Sequence, residues 1–200
     1  MAIIYRKGLI VRKLTVLVYF LPIVFFQEIA LYIADHLRFS YSSAVVYNIY
    51  RPICTIVFAS IYYKVPFMSS LKKWIAWLTI AYLCIILVSY VFLHSFFSNN
   101  TYLILCRGVL LTFCAILFLF RYFTLDNLIE EKFWRPLVWI TAGIAVFYPV
   151  VTLSVTFEDY LSVQDTKIFG FRLYNLAPQI MSIFMYSCFS HAFYLCRKRN

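Results

Sequence analysis

Three ionisable residues stand where a strongly apolar chain would be expected to carry none: Glu28, Arg51 and Arg107. Each lies within a run of about twenty mostly apolar residues, the length that crosses a hydrocarbon core. An ionisable group in such a helix costs about 2.5 kcal/mol or more, so it turns toward the bundle interior or a wet cavity. Helical spacing gives each one polar neighbours. Glu28, Tyr32 and Asp35 follow one face at i, i+4 and i+7. Asn48, Arg51 and Thr55 share another, with Pro52 unable to donate to the carbonyl of Asn48. Asn175, Gln179, Ser182 and Tyr186 form the longest stripe, Tyr148 and Thr152 share a face, and His94 ends the third run.

Two readings compete for these residues. In the plainer one, Glu28 and Arg51 form a structural ion pair, the last stripe makes interhelical hydrogen bonds, and the tyrosines pack. In the other, the polar side chains share a depth, about 9–14 Å below one surface at 1.5 Å per residue. Two arginines then face one glutamate, and the surplus is positive. A spare guanidinium suits a carboxylate, a phosphate or a lipid headgroup. The candidate ligand-binding set is therefore Arg107, Arg51, Glu28, Asn48, Gln179, Asn175 and Tyr32.

Catalytic chemistry has little to stand on. The chain holds no HExxH, GxSxG or P-loop pattern. Lysine is absent from the interior of every run, and His36, His94 and His191 are the only histidines. The six cysteines form no CxxC and read as small apolar packing residues rather than disulfides. No catalytic residue, metal or cofactor is expected.

The elements that must position the polar layer follow from composition. Of 200 residues, 64% are hydrophobic and only 13% charged, with 21 Phe and 17 Tyr against 4 Gly. A soluble domain carries about a quarter charged residues. The reading is an all-α polytopic membrane protein, one domain over residues 1–200, with six transmembrane helices. The spans are about 14–34, 42–63, 74–94, 101–123, 136–155 and 173–196. Backbone groups in lipid must bond within their own segment, which dictates helices.

Charge then orients the bundle. Arg6, Lys7, Arg12 and Lys13 precede the first span; Lys64, Lys72 and Lys73 follow the second; Arg121, Lys132 and Arg135 follow the fourth; Arg197, Lys198 and Arg199 end the chain. The opposite side holds only Arg38, Lys167 and Arg172. Both termini are thus expected in the cytoplasm. Trp74, Trp77, Trp134 and Trp139 fall at the cytoplasmic ends of spans three and five, where indole prefers the headgroup layer. A net charge of +10 is spent on orientation, and no basic stretch is long enough to form a nucleic-acid groove.

Phe133-Trp134-Arg135-Pro136 running into Thr141-Ala142-Gly143, and Asn175 through Ala192-Phe193-Tyr194-Leu195-Cys196 before a basic tail, carry a resemblance. Over its C-terminal third the chain resembles uncharacterised small six-helix inner-membrane proteins of Bacteroidota-type bacteria. The resemblance implies a bacterial cytoplasmic membrane and work beside a signalling partner. It transfers no activity and no site residue.

Two classes of function follow. One is a non-enzymatic membrane sensor or accessory subunit, whose outward-facing polar pocket binds a small anion, a lipid headgroup or a partner helix. Its partners would be the bilayer and a membrane protein or a second copy of itself. The other is a transporter or channel subunit for a small solute or anion. That class needs a polar path through both halves, and the inner half is polar only in the last span, at Tyr186, Ser187, Ser190 and His191.

Overall fold

Each apolar run becomes a helix, giving six long helices among the described residues. The structure, a computed structural model, describes residues 2–37, 43–93, 100–124, 128–158, 167–168 and 171–197. The helices are α1 (Ala2–His36), α2 (Ser43–Tyr63), α3 (Lys72–Val88), α4 (Thr101–Phe123), α5 (Leu128–Thr156) and α6 (Leu173–Arg197). Among the described residues, five stretches are long and apolar enough to cross a membrane: Val16–Ala34, Ala44–Tyr63, Pro66–Phe92, Thr101–Phe123 and Trp134–Thr156. α6, with 25 residues, has the length. Its polar stripe from Gln179 to His191 dilutes its apolar character. Many large apolar side chains point away from the bundle, among them Phe26, Trp77, Leu87, Phe92 and Phe120. A water-soluble monomer rarely exposes such a surface, whereas acyl chains match it. These features are those of a multi-pass membrane protein.

The ends of the helices differ from the sequence expectation in three places. α1 and α5 run on past their apolar stretches, to Ala2 and Leu128. α3 is entered through a 3-10 turn, Pro66–Leu71, and leaves through a π turn, Ser89–Leu93. A short antiparallel pair, β1 (Lys167–Ile168) with β2 (Phe171–Arg172), precedes α6. Two-residue strands leave no periodic signal to read.

Packing centres on α5, which lies tightly against α4 on one side and α6 on the other. Glycines permit both approaches. A Cβ at Gly108 of α4 would collide with Oγ1 of Thr152 on α5. A Cβ at Gly143 of α5 would lie 3.2 Å from Cβ of Cys188 and 3.3 Å from the Met185 backbone on α6. Small residues at crossings are the usual means of bringing helices together in lipid, where dispersion replaces the hydrophobic effect. α3 packs on α2 and α4, and α1 packs chiefly on α2.

At the basic end, Tyr62, Phe67, Phe118, Tyr122 and Trp134 form an aromatic core. Nη2 of Arg121 donates to Oγ of Ser70 at 3.3 Å, placing the α2–α3 connection and the end of α4 at one level. Trp134 is buried, its ring edge-on to Phe67 at 5.5 Å. Trp74, Trp77 and Trp139 are exposed as anchors would be. At the other end, Asn100 caps α4 by accepting from the Tyr102 amide at 3.0 Å, and its own amide donates to Oγ of Ser89 at 2.7 Å. One side chain thus ties the π turn of α3 to the start of α4.

Candidate functional site

A cavity of about 580 Å³ opens among α1, α2, α4, α5 and α6. That size lies within the ~300–1,000 Å³ of small-molecule sites. Four of the seven candidate ligand-binding residues line it: Glu28, Arg51, Arg107 and Gln179. Residues from four helices, far apart in sequence, therefore converge as the shared depth implied.

The two arginines are held differently. Arg51 is buried, and its Nη1 donates to Oδ1 of Asn48 at 2.8 Å, one helical turn earlier. Tyr90, in the π turn after α3, reaches the same guanidinium. Thr55 sits on the same face but donates to the Arg51 carbonyl at 2.9 Å, back-bonding within its own helix. Asn48 is almost fully buried and does not line the cavity, so its part is to orient Arg51.

Arg107 is 9% exposed, and among the described residues neither its Nε nor its Nη1 has a hydrogen-bond partner. Its guanidinium carbon lies 5.3 Å from the centroid of the Tyr148 ring on α5. A cation over an aromatic face gains about 0.5–2 kcal/mol, depending on desolvation. That contact uses the charge and leaves the two N–H donors unused. An unsatisfied buried donor costs about 1–3 kcal/mol, more when charged.

Glu28 takes a third arrangement. Its Oε2 accepts from the Tyr47 hydroxyl at 3.1 Å, and its side chain is exposed at the rim of the cavity. Arg51 and Glu28 thus line one cavity, each with a nearer neutral partner. The cavity carries two guanidinium groups against one carboxylate, a positive surplus.

The remaining candidates divide. Gln179 and Ser182 of α6 line the cavity, and Oγ of Ser182 donates to the Gln179 carbonyl at 2.7 Å. Tyr32 does not line it. Its side chain is 74% exposed and its ring stacks on His36. Glu28 already sits at the rim, and each further turn of 3.6 residues carries the i+4 position farther round. The side chains of Asn175 and Asp35, and the whole of His94, lie outside the described residues.

Several lining residues were not singled out as site residues. Tyr47, Tyr50, Tyr148 and Tyr186 all face the cavity. Tyr148 is buried beneath Arg107, its hydroxyl 3.5 Å from Sγ of Cys54. Tyr50 stacks on Phe20 at 5.9 Å. Tyr186 was visible as the last member of the α6 stripe. In a chain with 17 tyrosines, residue type alone could not separate the other three from packing.

Chemically the arrangement can bind and orient an anion. Among the described residues no group of three His, Cys, Asp or Glu side chains could hold a metal ion. Cys54, Cys114 and Cys188 are buried in the helix packing. No family model matches this chain, and no curated protein or solved structure is significantly similar to it.

Proposed function

We propose that the chain is a six-span, non-enzymatic membrane protein, with both termini in the cytoplasm, that binds a small anion in this cavity. It would work as a sensor or as the accessory subunit of a larger assembly, in a bacterial cytoplasmic membrane. The observation that carries the reading is Arg107, a buried permanent charge in the wall of an open cavity, held by the ring of Tyr148. Guanidinium does not lose its proton in proteins, so the cost cannot be escaped by neutralisation. An anionic ligand would supply a counter-charge to this guanidinium.

Binding is favoured over transport by the floor. Phe20, Phe58 and Phe189 close the cavity toward the basic end, with Phe58 6.4 Å from Phe20 and 6.3 Å from Phe189. These three rings do not continue a polar path toward that end. Work beside a partner is supported by α6, whose Ser187, Ser190 and His191 are exposed on the bundle surface. A polar helix face in lipid is better matched by another helix than by acyl chains.

The test is equilibrium dialysis of the protein in phosphatidylcholine nanodiscs against labelled acetate and inorganic phosphate, beside Arg107→Gln. Saturable binding of either anion, weakened about tenfold or more in the variant, is expected, as hydrogen bonds to a charged group contribute about 1.5–3 kcal/mol. No saturable binding of either anion, nor of a carboxylate carried on an acyl chain, by folded protein would remove the proposal.

A further inference from the structure

The cavity has two ends of opposite chemistry. Around Arg51 and Arg107 its wall carries Glu28, Tyr47, Gln179 and Ser182. About two helical turns farther toward the basic end it is walled by Phe20, Phe58 and Phe189, with Val24 and Met185 between. At 1.5 Å per residue the apolar part is about 10 Å deep. An inorganic anion would occupy only the guanidinium end. Apolar cavities hold water poorly, so the lower half calls for an apolar occupant.

One side of this wall is open. The lining residues of α2, α4 and α5 are buried or half-buried. The exposed ones are Glu28 on α1 and Gln179 and Tyr186 on α6. Among the described residues these two helices are hardly packed on each other. The opening therefore follows α6 from Gln179 to Tyr186, about 10 Å along the axis. Tyr186 lies near the middle of α6 (Leu173–Arg197). A slot that reaches the middle of a spanning helix faces acyl chains, not water.

We propose that the cavity takes a monocarboxylate amphiphile, an acyl chain ending in one carboxylate, admitted sideways from the bilayer between α1 and α6. This rests on the anion-binding reading of Arg107 and names the ligand class. The carboxylate meets the guanidinium of Arg107 where it lines the cavity, and its single charge matches the surplus of two guanidinium groups over Glu28 among the described lining residues. The chain lies along Val24 and Met185 and ends on the phenylalanine floor.

The same nanodisc dialysis with labelled octanoate, acetate and inorganic phosphate, empty discs as blank, tests it. Octanoate should bind at least about tenfold tighter than acetate, since each buried methylene is worth up to about fourfold. Arg107→Gln should weaken octanoate at least tenfold. Val24→Phe, which fills the apolar half, should cut the advantage of octanoate over acetate. Octanoate no tighter than acetate, with acetate or phosphate still bound through Arg107, would overturn the amphiphile and leave the anion pocket standing. Tight octanoate binding unchanged by Arg107→Gln would also overturn it. If folded protein retains none of the three anions, both proposals fail.

Discussion

Arg107 of α4 lies over the ring of Tyr148 of α5, 5.3 Å from its centroid, across the helix pair that also meets at Gly108 and Thr152. The contact holds the charge at the cavity wall without using its N–H donors. Tyr148→Phe keeps the ring and loses only the hydroxyl beside Cys54, so it should cost about 1 kcal/mol or less. Tyr148→Leu removes the aromatic face and should cost about 2 kcal/mol more, from the lost cation–π contact and the void. Thermal unfolding of both purified variants checks the order. Equal losses would mean that the ring face does not hold the guanidinium.

The α4–α5 approach itself is testable at Gly108. An added Cβ meets Oγ1 of Thr152, so Gly108→Ala should destabilise by about 1–3 kcal/mol through overpacking. Thr152→Ala removes the obstructing atom. The double variant should regain most of the loss, a coupling within the 0.5–3 kcal/mol usual for touching residues. No recovery would place the strain elsewhere.

Asn48 and Arg51 are hydrogen-bonded at 2.8 Å, whereas Glu28 takes its bond from Tyr47. A double-mutant cycle of Asn48→Ala with Arg51→Gln should therefore show the larger coupling, and Glu28→Gln with Arg51→Gln the smaller. Unfolding midpoints of the single and double variants decide it. The reverse ranking would restore a direct ion pair between Glu28 and Arg51.

The helices and the polar layer were legible because both rest on strong, local signals. Twenty apolar residues in lipid can only be helix, and a charge among them must face inward. Arg51, Arg107, Glu28 and Gln179 reach one cavity for that reason. What was hidden depends on which groups meet across helices. Charge alone left open whether Glu28 pairs with Arg51 or Arg107, and its hydrogen bond comes from Tyr47 instead. Tyr32, one turn farther along α1, is exposed. That Phe67, brought in by the 3-10 turn, would cover Trp134 was likewise not visible from position along the chain. No local pattern announces that turn.

Orientation in the bilayer rests on the basic residues flanking alternate spans. Cysteines introduced at Ser70 and Asp126 should be labelled only from the cytoplasmic side, and those at Ser98 and Gln164 only from outside. Both ends of the chain should be cytoplasmic in reporter fusions. Labelling of the Ser98→Cys variant from the cytoplasm alone would invert the bundle and turn the cavity mouth inward.

Arg107 separates a site from a scaffold. Were it structural, Arg107→Gln would leave partners unpaired, and breaking a buried charge pair costs about 3–5 kcal/mol. Here the two orphaned donors mean that little is lost with the charge, apart from the contact with Tyr148. Removing a desolvated cation offsets that contact. Arg107→Gln should therefore change stability by no more than about 1–2 kcal/mol while weakening anion binding tenfold or more. Arg107→Lys keeps the charge but loses the planar group that lies over the ring, and should bind at an intermediate level. Melting temperature and anion affinity, measured on the same preparations, give the answer. A variant that unfolds before it loses binding would make Arg107 a structural residue, and the cavity would lose the group that selects its ligand.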